Sequence, residues 1–230
     1  MAQTVGPTDD LPEEIGRLAS DTTEMGIVVG DGFRYACAGL FVQEPDSARF
    51  AMESARWAAY VRSLLDLRVR DIIQRYHPIG DDMRHIAELR HAVSEYSRIS
   101  DLSNQIADGA LALQGQCDTL LLRCAPDAPE ILYTYTSLVY EQMRGVFLVT
   151  AARDLGQAQA LVRRDEEVQA FCNALLVRLH YAIKQEPFEA LPLQRIIMIA
   201  TSMRDVDASV VAICKTVLPA SALLPPPPVY

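Results

Sequence analysis

Two long runs of this chain carry the same pattern, an arginine three residues before an aspartate followed by about two turns of small and apolar residues. The first holds Arg98 and Asp101, the second Arg204 and Asp207, and the two lie 106 residues apart (98 to 204). In both runs the apolar residues recur every three or four positions, the spacing of an amphipathic helix. A repeat of that period restricts the chain to two similar supersecondary units in tandem. Read at face value, it also places one carboxylate at an equivalent depth on each of two helices.

The helical grammar extends on both sides of the pattern. Apolar residues from Leu11 to Leu40 keep helical spacing, weakened by Gly26, Gly30 and Gly32. Glu44-Pro45-Asp46-Ser47 punctuates the chain, and a second helix is expected over 46–76 with arginines on much of one face. His77-Pro78-Ile79-Gly80 breaks it, and Asp81 or Asp82 can cap a third helix over 81–113. Three more are expected over 130–153, 155–186 and 189–217. No segment sustains the period-two alternation of a strand. The predicted class is all-α, a tandem repeat of two three-helix bundles. Residues 11–113 form the first bundle, 114–129 a junction and 130–218 the second. Residues 1–10 are a disordered N-terminus and 219–230 a disordered tail rich in proline (Pro225 to Pro228). The stripes Ile86/Leu89/Val93/Tyr96 and Ile196/Ile197/Ile199/Ala200 are expected to line two separate cores.

Composition excludes several classes. A net charge of −9 and a pI near 4.9 argue against nucleic-acid binding, which needs a basic stripe. Five cysteines without a C-x-x-C read as reduced core residues of a cytoplasmic protein. The N-terminus lacks the basic and apolar regions of a signal peptide, and no run of 18 apolar residues predicts membrane insertion. Glu88 and His91 have the E-x-x-H spacing of di-iron bundles, but His77, His85 and His180 have no glutamate three residues before them, so the set stays incomplete. There is no phosphate loop, nucleophile elbow or H-E-x-x-H, and the chain is read as a non-enzyme.

The segments around the repeat resemble the PhoU family, regulators that accompany phosphate-specific transport systems. The likeness is carried by Pro78-Ile79-Gly80-Asp81-Asp82-Met83-Arg84, by Ser97-Arg98-Ile99-Ser100-Asp101 and by Asn104-Gln105-Ile106-Ala107. Met203-Arg204-Asp205-Val206-Asp207 and Arg164-Asp165-Glu166-Glu167-Val168 carry it in the second half. The resemblance spans residues 12–217. It implies a cytoplasmic negative regulator of phosphate uptake and phosphate-starvation signalling, acting on a phosphate transporter's ATPase subunit and a sensor histidine kinase. A homodimer is compatible with it.

Family members pair two acids four residues apart on each repeat, a spacing that can chelate cations. Here Ser97 and Met203 stand where the first acid would be, so each repeat keeps only its aspartate. The remaining metal-ligand candidates are Asp101, Asp108 and Asp207, and no cofactor is expected, a divalent or iron-type ion being disfavoured by the lost acids. The expected partner surface is Arg98, Asp101, Asp108, Arg204 and Asp207. Intra-bundle ion pairing is the competing role for the two arginines. Two other readings keep the fold: a diverged helical adaptor without a phosphate role, and a metal-binding bundle.

Overall fold

A computed structural model describes residues 10–41, 45–113 and 115–219. Six long helices and one short one follow one another: α1 (Leu11–Phe41), α2 (Pro45–Tyr76), α3 (Gly80–Leu113), α4 (Cys117–Cys124), α5 (Ala128–Ala152), α6 (Leu155–Gln185) and α7 (Ala190–Val217). A 3-10 turn, Pro187–Glu189, leads into α7. Among the described residues there is no strand, and no helix is long and apolar enough to cross a membrane. The expected N-terminal and proline-rich tails fall outside the described residues but for Asp10 and Pro219.

The boundaries follow local chemistry. His77 and Gly80 both adopt positive φ, 47° and 60°, which turns the chain between α2 and α3 around Pro78. Asp81 and Asp82 sit in the first turn of α3, where carboxylates face the positive end of the helix dipole. Arg153 (φ 50°) ends α5 in the left-handed conformation, and the next residue, Asp154, caps α6 by accepting a 2.9 Å hydrogen bond from the Gln157 amide. The junction is shorter than expected because α4 lies inside it. Cys117, Leu120 and Leu121 give that short segment a buried face, and the flanking Gly115 and Pro126 hid it in the sequence.

Helices α1–α3 pack on one another and α5–α7 do likewise, but α3 also packs along α7 and α1 against α5. One contiguous hydrophobic cluster runs through all seven helices. The expectation of two separate cores is therefore corrected. Ile86, Leu89, Val93 and Tyr96 share a core with Ile196, Ile199 and Ala200, while Ile197 is only half-buried at its edge.

Tyr96 shows how the halves join. Its ring is fully buried and its hydroxyl lies 3.2 Å from Thr150 Oγ1 on α5. Thr150 can give its own proton to the carbonyl of Phe147 (3.1 Å) or Val146 (3.3 Å), which leaves the Tyr96 hydroxyl to donate. The ring rests on α1 at Gly26, where a Cβ would come within 2.6 Å of Tyr96 Cζ. One turn on, a Cβ at Gly30 would meet Phe147 of α5 at 2.8 Å. These glycines, which weaken α1 as an isolated helix, are the points where rings of α3 and α5 approach its backbone. Four of the five cysteines are buried and all are free thiols, so no disulfide holds the core.

Candidate functional site

Helices α3 and α7 run antiparallel. The start of α3 (Asp81, Arg84, Glu88) lines a cleft with Thr216, Leu218 and Pro219, and its end (Gln105, Asp108, Gly109) lines another with Leu191, Met198 and Ser202. Their common outer edge is the one long surface to which both halves contribute a helix of the repeat. Of the five sequence candidates, Asp108 lines the second cleft, and all but one are at least partly open to solvent.

Arg98 and Asp101 are exposed on α3. Arg98 reaches only Glu95, 3.9 Å away on its own helix, so it is not an inter-helix strut. Asp108 is exposed two turns further on and borders the cleft of about 480 Å³ that also takes Arg195, Gln194 and Met198 from α7. Arg204 is half-buried and lies 3.9 Å from the adjacent Asp205. Neither arginine makes an ion pair across the bundle among the described residues.

Asp207 is the exception. It is fully buried, with Oδ1 accepting a 3.1 Å hydrogen bond from Gln142 Nε2 on α5, and Oδ2 has no partner. Burial pushes its carboxyl up to about 7, against the lowering effect of the Gln142 hydrogen bond, and the nearby Asp165 carboxyl of α6 adds to the rise. Asp207 therefore cannot belong to a partner surface. The cause is a one-residue slip in the repeat. Shifting α7 by 107 residues lays Leu193 on Ile86, Ile196 on Leu89, Met203 on Tyr96 and Cys214 on Ala107, buried on buried. In that register Asp207 falls on buried Ser100, while the 106-residue motif register lays it on exposed Asp101. One residue is about 100° of helix, enough to turn a surface position into a core one.

The same geometry separates the three carboxylates named as metal candidates. Asp101 and Asp108 are seven residues apart, about 10.5 Å along the helix axis, too far for one ion with ligands at about 2.5 Å. Asp207 faces α5 inside the second half, so the three carboxylates do not meet. Among the described residues no three His, Cys, Asp or Glu side chains converge on a point that could hold a metal. The residues do not fit a multinuclear cluster.

Sequence reasoning missed the ion pair at the opposite end. Glu88, buried at 8% exposure, accepts a 2.8 Å hydrogen bond from Arg153 Nη2 at the end of α5, joining the halves. His85 Nε2 is buried nearby without a partner, and its pKa is lowered by burial and then by the Arg153 charge. The E-x-x-H spacing drew attention to Glu88 for the wrong chemistry. Its true partner is 65 residues away, and no local pattern announces it.

These features define a class: paired three-helix units on one core, with the last helix of each packed against the other. Solved structures of the same architecture include PhoU proteins. The chain superposes on the crystal structure of PhoU from Pseudomonas aeruginosa with a TM-score of 0.82 at 19% identity, over 90% of this chain and 96% of that one. It superposes on the phosphate transport system regulatory protein PhoU from Streptococcus pneumoniae with a TM-score of 0.78 at 15% identity, over 90% and 94%. The chain has the PhoU fold. No protein-family model matches the sequence, and a search of the curated proteins finds no match.

Proposed function

We propose that this protein is a cytoplasmic regulator of phosphate uptake and phosphate-starvation signalling of the PhoU type. It works by contact with a phosphate transporter's ATPase subunit and a sensor histidine kinase rather than by chemistry of its own. The observation that carries the reading is the correspondence of fold with PhoU proteins over 90% of this chain and 94–96% of theirs. Arg98, Asp101 and Asp108 of the first repeat segment lie exposed on α3 and offer a charged surface for such contact. Charges at a partly desolvated contact govern partner choice and encounter rate more than raw affinity.

Arg98 and Asp101 are exposed, so reversing both (Arg98→Glu with Asp101→Lys) should leave helicity and melting temperature nearly unchanged. Capture of the transport ATPase subunit and the sensor kinase from phosphate-replete cells should fall by about tenfold or more. Undiminished capture by the folded variant would move the contact elsewhere, and an unfolded variant would assign both residues to the bundle's own stability.

The metal reading follows from the same residues. With one acid per repeat and Asp207 turned inward, purified protein is expected to hold well under one tightly bound transition metal per chain. Elemental analysis checks this, and several iron or zinc ions per chain would show that carboxylates such as Glu166 and Glu167 have taken over.

A further inference from the structure

Helix α2 carries a second apolar stripe that the fold uses only in part, through Trp57 at the edge of the core. Its core face is Ala51, Ala58, Leu65 and Ile72, all buried and seven residues apart. The second stripe, Phe50, Trp57, Tyr60, Leu64 and Leu67, keeps the alternating three-and-four spacing of a coiled-coil seam from Trp57 on, with the exposed Glu53 at the seam position between Phe50 and Trp57. Tyr60 is 63% exposed and Leu67 59%, with Phe50 and Leu64 also open and Trp57 half-buried. A surface helix of a globular protein needs one apolar stripe, and the rest of its circumference is ordinarily polar. At one end the seam is braced, since Phe50 stacks on Tyr35 of α1 (centroids 4.8 Å apart) and Arg34 sits 4.4 Å over that ring.

Charge decides what fits. Along one edge of the seam the flanking heptad position is occupied by Arg49, Arg56, Ser63 and Arg70, all exposed. Among the described residues Arg56 and Arg70 make no ion pair, and Arg49 reaches only the exposed Asp46 at 3.7 Å. This cationic rim stands on a chain whose net charge is −9. A second copy of α2 laid on the seam would bring arginine edge against arginine edge, and like charges across a helix pair oppose association. We propose that the α2 seam is a docking site for an amphipathic helix of a partner protein, one with an apolar a/d stripe flanked by glutamate or aspartate. The site is separate from the α3–α7 edge and stands whether or not the phosphate reading holds.

Trp57 is the only tryptophan and lies within the seam, so its fluorescence reports this surface directly. The probe is a four-heptad synthetic peptide with leucine at a and d and glutamate at e and g, which repels its own copies. Titrated into the full chain, it should shift Trp57 emission saturably at one peptide per chain. The same peptide with lysine at e and g should bind at least about tenfold more weakly. Arg56→Glu with Arg70→Glu, both on exposed positions that leave the fold intact, should reverse that preference. Leu64→Ser with Leu67→Ser should abolish binding of either peptide. Equal binding of the two peptides, or binding indifferent to the α2 substitutions, would overturn the proposal. So would a concentration-dependent dimer that Leu64→Ser with Leu67→Ser dissociates, since it would make the occupant a second copy.

Discussion

Replacing Tyr96 by alanine should cost the fold about 3–5 kcal/mol, the range for deleting a fully buried aromatic ring. That is a large share of a domain stability of about 5–15 kcal/mol. The ring is wedged between α1 at Gly26 and α5 at Thr150, so no neighbouring side chain can collapse into its place without moving a helix. Tyr96→Phe keeps the ring and loses only the hydroxyl's hydrogen bond, a loss of about 1 kcal/mol plus the unmet Thr150 oxygen. Denaturant unfolding followed by circular dichroism separates the two: alanine should lower the midpoint severalfold more than phenylalanine at a similar slope. An alanine variant within about 1 kcal/mol of wild type would mean that the two halves do not depend on this wedge for their common core.

The second large effect concerns pH. Asp207 in the folded chain is held near 7, from an ordinary 3.8, because burial disfavours its charge. The folded state thus binds more protons than the unfolded state between those two values, and its stability falls as pH rises through that window. Below about pH 4 both states are protonated at Asp207 and the group costs nothing. Above about pH 7 both are ionised, and the cost, shared with the Asp165 carboxyl beside it, levels off. Asp207→Asn has the neutral shape at every pH, so it should match wild type near pH 4 and exceed it increasingly up to pH 7 to 8. Parallel pH–stability curves for the two proteins would show that Asp207 is solvated or paired when ionised, against its burial beside Gln142.

Most of the secondary structure was legible because it rests on local periodicity. The six long helices lie within a few residues of their expected bounds, since an apolar stripe at three-and-four spacing and a proline or glycine at each end are both written in sequence. What was hidden depends on residues far apart. Gly26 and Gly30 read as blemishes in α1 because the rings of Tyr96 and Phe147, which need those gaps, arrive from other helices. The core is continuous because α3 meets α7 and α1 meets α5, contacts that no repeat period encodes. The site was half legible. Arg98, Asp101 and Asp108 do lie on an open edge, but matching the motif letter for letter carried Asp207 out with them. The hydrophobic register, one residue away, would have placed Asp207 inside.

We propose that this chain regulates the phosphate response through its surfaces. The most direct measurement is a phosphate-starvation reporter and phosphate uptake, both followed in cells lacking the gene and in cells complemented with it. Deletion should switch the reporter on in phosphate-rich medium, and the wild-type chain should silence it again. The folded Arg98→Glu with Asp101→Lys variant should not. Reporter activity and uptake that follow external phosphate normally in the deletion strain would contradict it, leaving a helical adaptor with the PhoU fold and no phosphate role.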